Sequence, residues 1–195
     1  MTTTPDTMTT APAPATATEA GVDPNRFRDL MARVCAPVTI VTTADADGPH
    51  GATASSFTSL SQEPPLITVA FDRRSALLQR IQSTGRFGIN LLHHRQDDLA
   101  MLFATRGAGA DRFAGTSWQH DTGLPRINGA AGWAECELYD TVQGGDHLLL
   151  IGLVTKVDKA DLPPLVYAER IFGTHSHFVE PLPKPIGEQT ACAPD

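Results

Sequence analysis

The sequence predicts a mostly β domain, a closed or nearly closed barrel with a few short peripheral helices, on three observations. After Pro37 come six short runs rich in β-branched residues: VTIVTT (38–43), ATASSFTSLS (52–61), LITVAF (66–71), FGINLL (87–92), GWAECELYDTV (132–142) and HLLLIGLVTKV (147–157). The links DADGPHG, QEPP and QGGD carry turn chemistry. Only three stretches show helical spacing, and many strands with few helices suit a barrel better than a doubly wound sheet.

Taken in order, residues 1–22 are Thr, Ala and Pro with almost nothing to bury, and read as a disordered tail. A helix follows: Asp23 caps it, Pro24 suits its first turn, and Phe27, Leu30, Met31 and Val34 form a stripe expected to lead into the core. Two more short amphipathic helices are expected, SALLQRIQST from Ser75 and QDDLAMLFAT from about Gln96. Trp118, Trp133 and Tyr139 read as packing residues. The domain closes near residue 180, leaving 181–195 as a flexible tail.

A chain of 195 residues with 41% apolar composition supports one core rather than two. Its formal charge of −7 argues against nucleic-acid binding, which needs clustered Lys and Arg, although local arginines can still meet a small anion. Cys35, Cys136 and Cys192 lie far apart without zinc spacing and read as reduced thiols of a cytoplasmic protein. No apolar run approaches the roughly 20 residues of a membrane span, and no signal peptide is visible.

No nucleophile elbow, phosphate loop, zinc-protease motif or dinucleotide fingerprint is present, so any cofactor is held by another geometry. In GATASSFTSLSQEPP, hydroxyls fall on both faces of a strand beside small residues. Two readings stand: a wetted edge strand, or a strand whose amides and hydroxyls bind the polar edge of a flat heterocycle. In FDRRSALLQRI, Ser75 opens a helix behind Arg73 and Arg74. It is either a simple cap or part of a phosphate site. In GGDHLLLIG, Asp146 either finishes a turn or supports His147 as an imidazole at a pocket rim. His175 and His177 lack a third metal ligand, and His93 and His94 close a strand.

In this order the pieces resemble the flavin reductase-like family, short-chain NAD(P)H:flavin oxidoreductases that supply reduced flavin to two-component monooxygenases. The likeness runs from about Phe27 to Phe178, through VTIVTT, GATASSFTSLSQEPPLITVAF, Ser75, GRFGINLL, DRFAG, GGDHLLLIG and YAERIFGTH. It implies an FMN-binding split β-barrel working as a homodimer, with flavin near the subunit interface. Thr53, Ala54, Ser55 and Ser56 would line the isoalloxazine and ribityl chain, and Ser75, with Arg74, would lie near the phosphate. Gly145, Asp146 and His147 would border the nicotinamide, with Asp146 and His147 as the catalytic pair that orients the hydride donor. Ser59 and Asn90 complete the candidate flavin contacts, and Tyr167, Arg170 and Phe172 match a stretch that closes the pocket in some members. FMN or FAD is the expected flavin, and NADH or NADPH the donor. NADH is favoured because no 2′-phosphate clamp is visible. A monooxygenase receiving reduced flavin is the expected partner, with no nucleic acid and no membrane. Two rivals share the barrel: a flavin storage or electron-relay protein without NAD(P)H turnover, and an oxidase of pyridoxamine-type phosphates, which calls for more basic ligands. The GGDH segment favours the reductase over both.

Overall fold

Asp23 ends the entry of the chain into its first helix, α1 (Pro24–Met31), where its Oδ1 accepts from the Asn25 and Arg26 amides at 2.9 Å each. This computed structural model describes residues 22–105 and 111–175. The two expected tails fall outside the described residues except for Val22, as do His177 and Cys192. Contrary to expectation, α1 does not lead into the core. None of its residues is buried, and Phe27 and Leu30 are 57% and 64% exposed. Its docking is polar instead: Arg170 donates to Asp29 at 2.6 Å and Arg33 pairs with Glu169 at 3.2 Å, which leaves the apolar stripe facing outward.

The first strands are β1 (Ala36–Pro37), which stands outside the main sheet, and β2 (Thr39–Asp45), β3 (Gly48–Ala54), β4 (Thr58–Gln62) and β5 (Pro65–Asp72), which belong to it. Then come α2 (Ala76–Thr84), β6 (Arg86–Leu91), α3 (Asp97–Ala104), the short α4 (Asp111–Ala114) and a hairpin of β7 (Trp118–Asp121) and β8 (Leu124–Ile127). The long pair β9 (Gly132–Gly144) and β10 (His147–Lys159) is followed by β11 (Val166–Ala168) and β12 (Ile171–Gly173). Seven strands form one antiparallel sheet in the order β3-β2-β6-β9-β10-β5-β4. Every one of them but the edge strand β4 contributes to a common core around Val41, Val69, Phe71, Phe87, Ile89 and Leu150, so the sheet curls around that core. No ladder joins β3 to β4 among the described residues, and the curl is parted along that seam.

Strand β2 is buried on both faces, which explains its unbroken run of apolar residues and threonines. Val41 faces the sheet's core, while Ile40 and the preceding Val38 join Phe103, Phe113, Leu92 and Leu165 in an outer cluster under α3. The threonines are satisfied by the backbone: Thr39 Oγ1 donates to Ala54 O at 2.8 Å and Thr42 Oγ1 to Pro125 O at 2.7 Å. Helix α2 buries Leu77, Leu78 and Ile81 in the sheet's core, and Ser75 accepts from the Leu78 amide at 3.4 Å as its cap.

Three further readings need correction. The segment 52–61 is not one strand, because it breaks at Ser55–Phe57 into the end of β3 and the separate edge strand β4. Tyr139 does not pack inward; β9 has run past its pairing with β6, which ends at Glu137, and its ring is exposed. The strand before His93 ends at Leu91, and His93 itself forms an isolated bridge to Pro164.

Candidate functional site

The sheet edge β3, the start of α2 and the end of α3 enclose a cleft of about 610 Å³. Its floor is His50–Thr53, one wall is Asp72, Arg74–Leu77 and Arg80, and the other is Phe103–Thr105 with Arg112. The volume falls within the range of small-molecule sites. As an edge strand, β3 keeps one row of backbone groups unpaired by sheet, and Gly51 lets the Phe103 ring lie directly on it. A Cβ at Gly51 would stand 2.9 Å from Phe103 Cε1. Thr53 Oγ1 donates to Ala100 O at 2.6 Å and ties α3 to this floor.

The α2 end of the cleft suits an anion. Ser75 caps a nine-residue helix by taking the Leu78 amide, the Ala76 and Leu77 amides have no described partner and both residues line the cleft, and Arg74 stands beside them. Arg74 donates through Nε and Nη2 to Asp72 at 3.0 and 2.7 Å, and these bonds hold the Asp72 carboxyl well below the usual carboxylate range.

The Asp146–His147 turn is built onto the same piece of backbone. Gly145 and Asp146 form the two-residue link between β9 and β10, with Gly145 at φ +64°, the conformation glycine supplies at the first position of a tight hairpin turn. His147 lies opposite Asp72 in the β10–β5 ladder, and the Arg73 amide donates to Asp146 O at 3.1 Å. The phosphate-like end of the cleft and the GDH turn are therefore joined through Asp72 and Arg73. Asp146 Oδ1 lies 2.8 Å from His147 Nδ1, and this bond lowers the Asp146 carboxyl. A carboxylate only accepts, so Nδ1 carries the proton, and Nε2 of a neutral ring is left as an acceptor on a side chain 47% exposed.

The remaining expected residues divide. Thr53, Arg74 and Ser75 line the cleft. Ala54 is buried at the end of β3, and Ser55 and Ser56 follow it on the surface. The Ser56 hydroxyl is spent on the fold: it accepts from Ala70 N at 2.9 Å and donates to Ala70 O at 3.1 Å, extending the β4–β5 pairing by one step. Ser59 is exposed on β4. Phe172 packs on Tyr167, ring centroids 5.1 Å apart, against the outer cluster rather than in the cleft.

Asn90 is fully buried and presents nothing to a ligand. Its Nδ2 donates to Ile40 O at 3.0 Å and its Oδ1 accepts from Ile127 N at 2.7 Å, pinning β8 across β6. Asn90→Ala is expected to cost about 3 kcal/mol of stability, because it strands a buried amide and a buried carbonyl. Affinity of the folded fraction for the flavin that the resemblance implies should be unchanged. A chemical denaturation curve beside a flavin titration checks both.

Sequence reasoning missed His50, Arg80 and Arg112. His50 Nε2 lies 3.0 Å from Asp45 Oδ1, and Arg80 Nη1 binds Asp45 and, at 3.1 Å, Asp47. Burial alone would raise the Asp45 carboxyl, but the bonds from His50, Arg80 and the Asp47 amide outweigh it and bring it to about 2. Arg112 Nη1 donates to Gly51 O at 2.8 Å and Nη2 to Thr105 O, while Nε has no partner. Burial lowers its pKa. Only Arg112's place in DRFAG hinted at a role, and the motif does not say which way its guanidinium faces. Cys136, by contrast, is buried and its thiol is pushed up to about 12, which removes it as a nucleophile at neutral pH.

Among the described residues no group of three or more His, Cys, Asp or Glu side chains could hold a metal ion, and no helix is long and apolar enough to cross a membrane. The flavin reductase like domain family matches residues 31–176. A probable flavin reductase of Rhizobium meliloti is 40% identical over 148 residues, which are 75% of this chain and 47% of the relative, so the chain spans about half of that protein. An NADH:riboflavin 5'-phosphate oxidoreductase of Streptomyces pristinaespiralis is 38% identical over 173 residues, 86% of this chain and 95% of the relative. The solved flavin reductase of the Pseudomonas putida styrene monooxygenase superposes with a TM-score of 0.70 at 28% identity, covering 82% of this chain and 99% of that one. With the cleft, the capped α2 and the GDH turn in one curled sheet, this chain belongs to the flavin reductase-like domain family.

Proposed function

We propose that this chain is an NADH-dependent flavin reductase that turns over dissociable FMN or FAD and supplies reduced flavin to a separate flavin-dependent monooxygenase. The observation that carries the reading is the junction of two sites in one piece of backbone. The anion-suited start of α2 and the Asp146–His147 turn are bonded to each other through Arg73 and stand face to face at Asp72. The residues fit a phosphorylated flavin: a helix start with open amides, Arg74 beside it, and an edge strand of small residues.

When bound, the flavin supplies N5 as hydride acceptor and the reduced nicotinamide supplies the C4 hydride, so the hydride chemistry lies in the two cofactors. The chain binds and orients. Ser75, Arg74 and the α2 amides hold the phosphate, and the backbone from Thr53 to Ser56 donates to the polar edge of the ring where negative charge grows during transfer. His147, fixed in one tautomer by Asp146, accepts from the nicotinamide carboxamide at the rim and sets the donor ring against the acceptor.

Residues 23–180 form the reductase domain, with 1–22 and 181–195 as tails outside it, and the protein works in the cytoplasm as a homodimer. The dimer is supported by the outward stripe of Phe27, Leu30, Met31 and Val34 and by the exposed Tyr139, Val142 and Val157. With trace protein, excess FMN or FAD and NADH, many equivalents of NADH should be oxidised per protein chain. Oxidation that stops at one equivalent, with flavin co-eluting on gel filtration, would replace the reductase reading by storage or relay.

A further inference from the structure

The start of α2 already has an anion of its own. Ser75 N donates to Asp72 O at 2.8 Å, which keeps Asp72 within one turn of the helix start, and both residues line the cleft. Asp72 Oδ1 accepts from the Arg74 amide at 2.8 Å and from Nε at 3.0 Å, and Oδ2 accepts from Nη2 at 2.7 Å. Only Nη1 of Arg74 is left without a described bond. A phosphate arriving at Ser75 meets a guanidinium that is already answered.

The charges around this end point the same way. Asp72 and Asp146 oppose Arg73 and Arg74 one for one, and Arg73 turns its Nη2 away to Gln143 on β9 at 3.1 Å. His147 stands opposite Asp72 in the ladder and is bonded to Asp146. These residues leave no surplus cation for a phosphate, and the Asp72 carboxylate lies in the same favourable field at the helix start that a phosphate would use. The bonds from Arg74 hold Asp72 well below the usual carboxylate range, so this competing charge is present at neutral pH.

Resting on the flavin reductase reading, we propose that Asp72 sets the flavin affinity: its carboxylate competes with the flavin phosphate for Arg74 and for the start of α2, and so keeps a phosphorylated flavin dissociable. Asp72 acts through Arg74 and the helix start and takes no part in hydride transfer. Riboflavin, which lacks the phosphate, escapes this competition.

The test is fluorescence titration of the full chain and of its Asp72→Asn variant with FMN and with riboflavin at low ionic strength. Asparagine keeps an oxygen for the Arg74 amide and removes the charge. FMN should bind the variant about fivefold more tightly, the scale of one charge removed beside a solvent-exposed pair, and should dissociate more slowly by a similar factor. Riboflavin should bind both proteins alike. Arg74→Gln should cost the Asp72→Asn variant more FMN affinity than it costs the unmodified protein, and high salt should shrink the gain. If Asp72→Asn does not fold, Asp72→Ser, which also keeps an acceptor for the Arg74 amide, carries the same test. Unchanged or weaker FMN binding in a folded variant would overturn the proposal, because Asp72 would then hold Arg74 in place for the phosphate rather than compete with it. Equal tightening of FMN and riboflavin would overturn it as well. Failure of every one of these proteins to bind either flavin is a different result, and it would remove the functional reading itself.

Discussion

Replacing His147 by alanine is expected to raise the Michaelis constant for NADH about tenfold, the loss of one well-placed hydrogen bond, while flavin affinity changes by less than about twofold. The asymmetry follows from position. His147 heads β10 on the far side of Asp72 from the start of α2, and its ring is held by Asp146 at 2.8 Å rather than by any group that faces the phosphate end. Asp146→Asn separates orientation from contact. An amide can present either its oxygen or its NH2 to Nδ1, so the tautomer is no longer fixed, and the constant for NADH should rise by less than in the alanine variant. Steady-state kinetics with each substrate varied in turn, beside a flavin titration, check the split. An unchanged NADH constant in His147→Ala would remove His147 from the donor site.

Gly88→Ala is expected to have the largest effect on the fold. An added Cβ would stand 2.1 Å from Trp133 Cη2, 2.4 Å from Cζ3 and 2.8 Å from Thr42 Oγ1. Trp133 is buried on the adjacent strand β9, and Thr42 is fully buried and bonded to Pro125 O, so neither has room to withdraw. Overpacking of this severity costs about 3 kcal/mol, and for a domain of this size that lowers the melting temperature by roughly 10 °C. A thermal melt measures it. Melting within about a degree of the unsubstituted protein would mean that the indole has space the packing does not display.

Much of the fold was legible because it rests on local chemistry. Asp23 and Ser75 cap the helices they precede, QGGD closes a tight hairpin, and the β-branched runs become β2, β5, β6, β9 and β10. What was not legible depends on distant partners. The α1 stripe has helical spacing, yet only the ion pairs to Asp29 and Arg33 decide which way it faces. Periodicity cannot reveal that the Ser56 hydroxyl stands in for a missing strand residue, or that Asn90 bonds to Ile127 rather than to a ligand. Within the cleft, Thr53, Arg74 and Ser75 could be found from a strand and a helix start. His50, Arg80 and Arg112 become one group only after β3, α2 and α4 converge.

Anaerobic stopped-flow mixing of the protein and free flavin with NADH, and with NADH deuterated at C4, tests the central claim most directly. The account predicts rapid bleaching of flavin absorbance over many equivalents of flavin, slowed several-fold by the deuterium, because the C4 hydride crosses directly to flavin N5 in the cleft. No bleaching with NADH or NADPH, despite tight flavin binding, would contradict it.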